Sequence, residues 1–423
     1  MNKIILSLTL PLFLYAHTLP ELFDALKEHS QTKSDEISVQ KSAISQDAVY
    51  ASLYPKINLF GTYDNYSTPT GMLPVPPNVL LPMIQDKSVN QPFSYNIYRA
   101  GASISMPIFV KSLFTMADKA EAMQQSAKAK KYINLLKNEA IIVGANANFL
   151  YLDALDKALD SKELSLMETQ KTLQIKVENG RSPESALYKI NDGLNQISIA
   201  KNNIDLQRKN VLSSIESLTG IVLQEPIKMQ KKFNIQSGEL ASLRPLKEKI
   251  RADNLSLKAE KEKLYPALFA HGTYAYSKAD AYNTGGDTHE EYGDVGLTLN
   301  IPLLAMDQYA SISLAQLEVK STEIELRKLS DELSSQAKML EESLPLLENS
   351  LKLYNQSIGD KKKLLEIAKL NFTSGRLSTE EYLRYEDDVV SEEANLYKTE
   401  AAKWQTLMQL AVIYGNNIEE IVK

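Results

Sequence analysis

A chain of 423 residues, 24% charged and 43% hydrophobic, is long enough for two or three ordinary domains and has the overall composition of a water-soluble protein. A formal net charge of −6 and the lack of any basic tract exclude nucleic acid as a partner, because nothing is present to neutralise a run of phosphates. With no cysteine, the chain has no disulfide, no thiolate metal ligand and no cysteine nucleophile.

The first predicted element, "MNKIILSLTLPLFLYAHT", sets Lys3 before an apolar run from Ile4 to Tyr15 and ends it with the small residue Ala16. That order is a secretory signal peptide over 1–16, so the mature chain is expected to be exported and to begin near His17. No cysteine follows the run, and no lipid anchor is expected there. Beyond it no stretch of about 18 apolar residues occurs, so no transmembrane helix is expected.

A helix over 21–53 leads to the first of four segments with alternating character, at about 56–66, 95–106, 267–277 and 291–301. In the second, Tyr98, Ala100, Ala102, Ile104 and Met106 alternate with Arg99, Gly101, Ser103 and Ser105. In the fourth, Val295, Leu297, Leu299 and Ile301 alternate with Asp294, Gly296, Thr298 and Asn300. The proline-rich stretch 69–85 between the first two reads as a loop. Residues 111–179 contain no proline and a single glycine, which predicts a helix over about 110–179 on the order of 100 Å long. The chain then turns at Gly180. Ser182, Pro183 and Glu184 read as N-cap, N1 and N2 of a returning helix over 183–219. Its Leu187, Ile190, Leu194, Ile197 and Ile204 keep the three-and-four spacing of a coiled-coil seam.

After a connector at 222–245 the order recurs. A helix from 246 and two strands precede a second long helix over about 304–374, in which Pro345 and Gly359 are expected to cause local bends. The turn at Gly375 follows, then a helix over 378–414 opened by the S-x-x-E capping box of Ser378 and Glu381, and a tail at 416–423. Gly180 and Gly375 lie 195 residues apart, as do Pro107 and Pro302, and Gly220 and Gly415. The fold class is therefore α+β, with a helix-strand-strand-long helix-helix unit duplicated over 17–221 and 246–415.

Strands of about 10 residues, apolar on one face and with tyrosines near their ends, carry the signature of an outer-membrane β-barrel. On that reading Ala100, Ala102, Ile104, Val295, Leu297 and Leu299 face lipid. Four strands cannot close a barrel, and open edges are not tolerated in lipid. Several copies must share one, and three would supply 12 strands. The alternative is a soluble periplasmic coiled-coil scaffold or adaptor with a small sheet; the signal peptide favours the barrel.

The repeat, the strand endings "MPIF" and "IPLL" and the "G-R-x-S" turns together resemble the TolC family of outer-membrane efflux proteins over the whole mature chain. That resemblance implies a homotrimer with one 12-stranded β-barrel continued by a long periplasmic α-helical barrel. It also implies a passive exit duct in the outer membrane of a Gram-negative bacterium. The partners implied are a periplasmic adaptor, an inner-membrane efflux pump or ABC transporter, and outer-membrane lipid. Gly180, Arg181, Ser182, Gly375, Arg376 and Ser378 would form adaptor-facing turns. Where the best-known members carry two aspartates after the second turn, this chain has Glu381 and Arg384, with Glu380 as a substitute. These three are the candidates for the pore constriction, and Arg384 argues against a purely acidic double ring.

Glu381 also has a purely structural role open to it, as half of the capping box. The four histidines are scattered, and "DTHEE" at 287–291 reads as a solvated loop. No nucleophile–base pair, phosphate loop or metal-ligand spacing occurs, so no enzyme activity, cofactor or metal is expected.

Overall fold

The structure, a computed structural model, describes residues 17–423; the signal peptide expected at 1–16 lies outside the described residues. In chain order the elements are α1 (Leu19–Glu28), α2 (Ser30–Ala51), β1 (Lys56–Gly71), α3 (Pro77–Gln85), β2 (Phe93–Phe109), α4 (Lys111–Glu178) and α5 (Glu184–Thr219). They continue with α6 (Arg244–Glu262), β3 (Ala267–Asp280), β4 (Asp287–Asn300), α7 (Met306–Thr373), α8 (Thr379–Tyr414) and the short α9 (Ile418–Ile421). The chain divides into two compact units. One holds the chain up to Ser38, Lys128–Pro245 and Leu326–Lys423; the other holds Val39–Ala127 and Leu246–Glu325.

The second unit is built on a single antiparallel sheet in the order β1-β2-β3-β4. Its register sorts side chains by parity. Ile57 pairs with Ile104 and Leu59 with Ala102; Ala102 pairs with Tyr274 and Ile104 with Gly272; Gly272 pairs with Val295 and Ala270 with Leu297. Residues opposite one another share a face, so one face is apolar across all four strands. It is also bare, with Leu59 84%, Val295 93% and Leu297 69% exposed. The opposite face carries Asn58, Arg99, Ser103, Thr273, His271, Asp294 and Thr298. On it Arg99 donates to Asp64 at 2.6 Å. Gly101 is required here: a Cβ would collide with the Tyr274 carbonyl and the Phe60 ring.

The first unit is helical. α4 and α7 are each 68 residues long, and α5 and α8 each 36. Its largest core packs Leu19, Leu22, Phe23 and Leu26 of α1 against Leu136 and Val143 of α4 and Leu407 and Met408 of α8. The connector is tied to this core by Asn146, which is fully buried and exchanges two hydrogen bonds with the Ile227 backbone, at 2.7 and 2.9 Å. A second core runs along the seam of α4 and α5 through Leu152, Leu159, Leu166, Ile190, Ile197 and Ile204.

Several local expectations are corrected, among them the loop at 287–291, which is the paired start of β4. The stretch 69–85 is not loop throughout, because β1 runs to Gly71 and Pro77 starts α3 at a position where its missing N–H costs nothing. The helix expected over 21–53 is two helices, interrupted where His29 adopts extended backbone. Ser182 does not cap α5; Pro183 occupies the N-cap position without a side-chain bond.

Candidate functional site: the paired hairpin turns

Two hairpins, α4 to α5 and α7 to α8, reverse by the same local chemistry. Gly180 and Gly375 take φ of 67° and 77°, the left-handed region that only glycine enters at no steric cost. At each, the following arginine closes the helix through its backbone: Arg181 N–H donates to the Lys176 carbonyl and Arg376 N–H to the Asn371 carbonyl, both at 2.8 Å. These six-to-one bonds satisfy carbonyls that a helix end leaves orphaned. The guanidinium groups are not needed for the cap.

The turns lie together. Lys176 Nζ donates to the Thr373 carbonyl at 3.3 Å, and a cleft of about 360 Å³ is lined by Arg181, Ser182 and Pro183 from one turn and Gly375, Leu377 and Ser378 from the other. The helices that leave the turns differ at their first residues. α8 begins with a complete capping box: the Glu381 N–H donates to Ser378 Oγ at 3.2 Å, while Ser378 N–H and Oγ donate to Glu381 Oε2 at 3.1 and 2.8 Å. α5 has no equivalent.

The three residues expected at the constriction line one cleft of about 790 Å³, with Tyr188, Lys189 and Asp387. Their charges are largely spoken for. Glu380 accepts from Lys189 Nζ at 2.6 Å, and that hydrogen bond lowers its pKa. Glu381 is lowered first by its bonds from Ser378, with Arg384 adding a smaller electrostatic effect. Arg384 therefore offsets the charge of Glu381 through space, while the carboxylate itself is held by the cap.

Behind this surface lies a buried polar group that the sequence reading did not single out. Tyr382 is fully buried, stacks on Phe372 at 4.8 Å between ring centroids, and donates to Glu386 Oε1 at 2.5 Å. Ser165 of α4 donates to the same carboxylate at 2.6 Å, so the network joins the two hairpins. Burial, reinforced by Glu386, pushes the Tyr382 phenol up to about 12. The signal was present: along α8, Tyr382, Glu386, Val389, Tyr397, Ala401 and Trp404 fall at spacings built from threes and fours, the spacing of a buried seam, and a glutamate on a seam must find a donor. Lys162 and Asp387 make a further ion pair between α4 and α8.

Ala100, Ala102, Ile104, Val295, Leu297 and Leu299, the other expected set, all lie on the bare apolar face of the sheet. Among the described residues no cluster of metal-ligating side chains occurs, and no helix is long and apolar enough to cross a membrane.

No protein-family description matches the chain, and no curated protein sequence does. Solved structures do. The chain superposes on the Campylobacter jejuni CmeC outer membrane channel with a TM-score of 0.77 at 16% identity, covering 94% of this chain and 85% of that one. It superposes on the outer membrane protein VceC of Vibrio cholerae with a TM-score of 0.75 at 13% identity, over 94% and 96% of the two chains. The open Neisseria gonorrhoeae MtrE outer membrane channel gives 0.75 at 12%, over 95% and 90%. The fold of this chain is thus the outer-membrane channel fold, the one its resemblance to the TolC family implies.

Proposed function

We propose that this protein is a TolC-family exit duct of the outer membrane, in which three copies pool their sheets into one 12-stranded barrel and their hairpins into a periplasmic helical cylinder. The observation that carries this reading is the four-stranded sheet. Its apolar face is uncovered from Ile57 to Tyr63 and across to Val295 and Leu297, and β1 and β4 form its two edges. The seven residues of strand from Ile57 to Tyr63 make six steps that span about 20 Å, close to the apolar band of about 25 Å on outer-membrane barrels. In water such a face and such edges would aggregate; in lipid they are stable only if neighbouring copies pair β4 with β1.

The helices support the same assembly. On α7, Met339, Leu346 and Leu353 recur every seven residues and are 54%, 68% and 56% exposed, an apolar seam that matches a neighbouring helix. A contact between unlike faces repeated around an axis closes into a ring. In this reading energy comes from elsewhere: an inner-membrane pump or ABC transporter delivers cargo, a periplasmic adaptor docks at the hairpin turns, and the duct conducts passively.

Extraction and mass test the reading. The full-length protein expressed in a Gram-negative host should sediment with outer membranes, need detergent for release and have the mass of three chains. Release by salt or alkali as a monomer stable without detergent would support the scaffold instead.

A further inference from the structure

Glu139 of α4 is 2% exposed, and one of its carboxylate oxygens has no hydrogen-bond partner. It lies where α1 and α9 pack on α4. Lys27 of α1 makes an ion pair at 2.6 Å with Glu419 of α9, and a second at 3.2 Å with Asp24 of its own helix. Glu419 of α9 and Lys27 of α1 act on Glu139; Lys27 also pairs with Asp24, and Glu139 acts in turn on Tyr132 of α4, which also feels Arg244 of α6 and Glu420 of α9. One ammonium thus pairs with two carboxylates, Glu419 and Asp24, and acts on Glu139 through space.

Besides that pair, the segment 417–423 is held by three buried side chains of the main core and by backbone bonds to the connector. Ile418, Ile421 and Val422 are buried. The Gln230 and Lys423 backbones exchange hydrogen bonds at 2.8 and 3.0 Å, and Lys232 N–H donates to the Ile421 carbonyl at 2.8 Å. These bonds fasten the connector to the segment.

We propose that Glu139 and Glu419 compete for Lys27, so that the segment 417–423 is a proton-operated clasp on the connector: closed when Glu139 carries a proton, loosened when it does not. A neutral Glu139 leaves Lys27 to pin α9 to α1. A charged one, buried with an unpartnered oxygen, draws Lys27 away and repels Glu419, and both are relieved when the segment lifts and admits water. Burial first, then Glu419, raises the Glu139 pKa from 4.5 to about 7, against a smaller lowering by Lys27. The sign follows: the closed form holds the proton more tightly than the open form. The closing equilibrium is strongest below about pH 4.5, weakens as pH rises, and levels off above about 7. Across that window it falls on the order of 100-fold.

Hydrogen exchange on the intact assembly in detergent or nanodiscs, at pH 5, 6, 7 and 8, measures the clasp. Protection factors for peptides covering 228–233 and 417–423, corrected for the intrinsic pH dependence of exchange, report its opening. They should fall progressively to pH 7 and then flatten, while peptides from the α4–α5 seam stay constant. In Glu139→Gln the protection should be independent of pH; in Glu419→Gln, which removes the competitor, the levelling should move to lower pH. Wild-type protection that is flat across pH 5–8, or an identical fall in Glu139→Gln, would overturn the proposal.

Discussion

The two hairpin turns share a glycine and an arginine, yet only one of them starts its return helix with a capping box, and that asymmetry can be measured. Ser378→Ala removes an acceptor for the Glu381 N–H and a donor to its carboxylate, and should cost about 1 kcal/mol. Ser182→Ala should cost nothing comparable, because Ser182 caps nothing. Hydrogen exchange in the first turns of α5 and α8 separates the two. Tyr382→Phe keeps the stack on Phe372 but deletes the phenol donor to a buried carboxylate. A loss of about 2 kcal/mol is expected, seen as faster exchange over 383–390 with α4 unaffected near its start. Glu381→Gln is a clean charge probe, since glutamine also completes a capping box. If Glu381 lines the conducting path, reversal potentials in bilayers should move toward anions, less so at high salt. Unchanged selectivity with an intact trimer would leave it as a helix cap alone.

Elements were legible where their signal is local. Gly180 and Gly375 announced left-handed caps, Ser378 with Glu381 announced a helix start, and the alternation at 98–106 and 293–301 announced strands. The parity assigned from Val295, Leu297 and Leu299 agrees with the register, since those residues pair with Gly272, Ala270 and Leu268 on one face. Breaks that depend on packing were not legible. Nothing in "KEHSQT" marks the interruption at His29, which has no glycine or proline beside it. In 69–85 five prolines hid α3, whose start at Pro77 is compatible with helix although Pro82 lies inside it. Glu386 was not legible from the apolar members of its seam, and Glu139 lies in α4, for which proline and glycine content predicts length but not which face is buried. The sheet's faces make their own prediction. Leu297→Arg puts a charge on the bare apolar face and should disfavour insertion by roughly 2–4 kcal/mol if it sits near the bilayer midplane. Thr298→Arg, on the polar face, should be tolerated better. Folded, heat-resistant protein recovered in outer membranes gives the comparison, and equal damage from both would reverse the assigned faces.

For the whole molecule, one sheet of four strands with an exposed apolar face is incomplete by itself, and so is a 68-residue helix with an exposed heptad seam. In the proposed duct, repetition of the chain would supply both missing partners, strands for the sheet edges and a helix for the seam. That coincidence is why a duct explains more of this chain than a scaffold, which would need one partner for the sheet and another for α7. The most direct test is conductance. Detergent-extracted protein added to a planar lipid bilayer should give discrete, uniform current steps, with Leu297→Arg inserting rarely and Thr298→Arg inserting as the unchanged protein does. Folded protein that associates with the bilayer without ever passing current, under salt, voltage and pH conditions chosen to open the periplasmic end, would contradict the account.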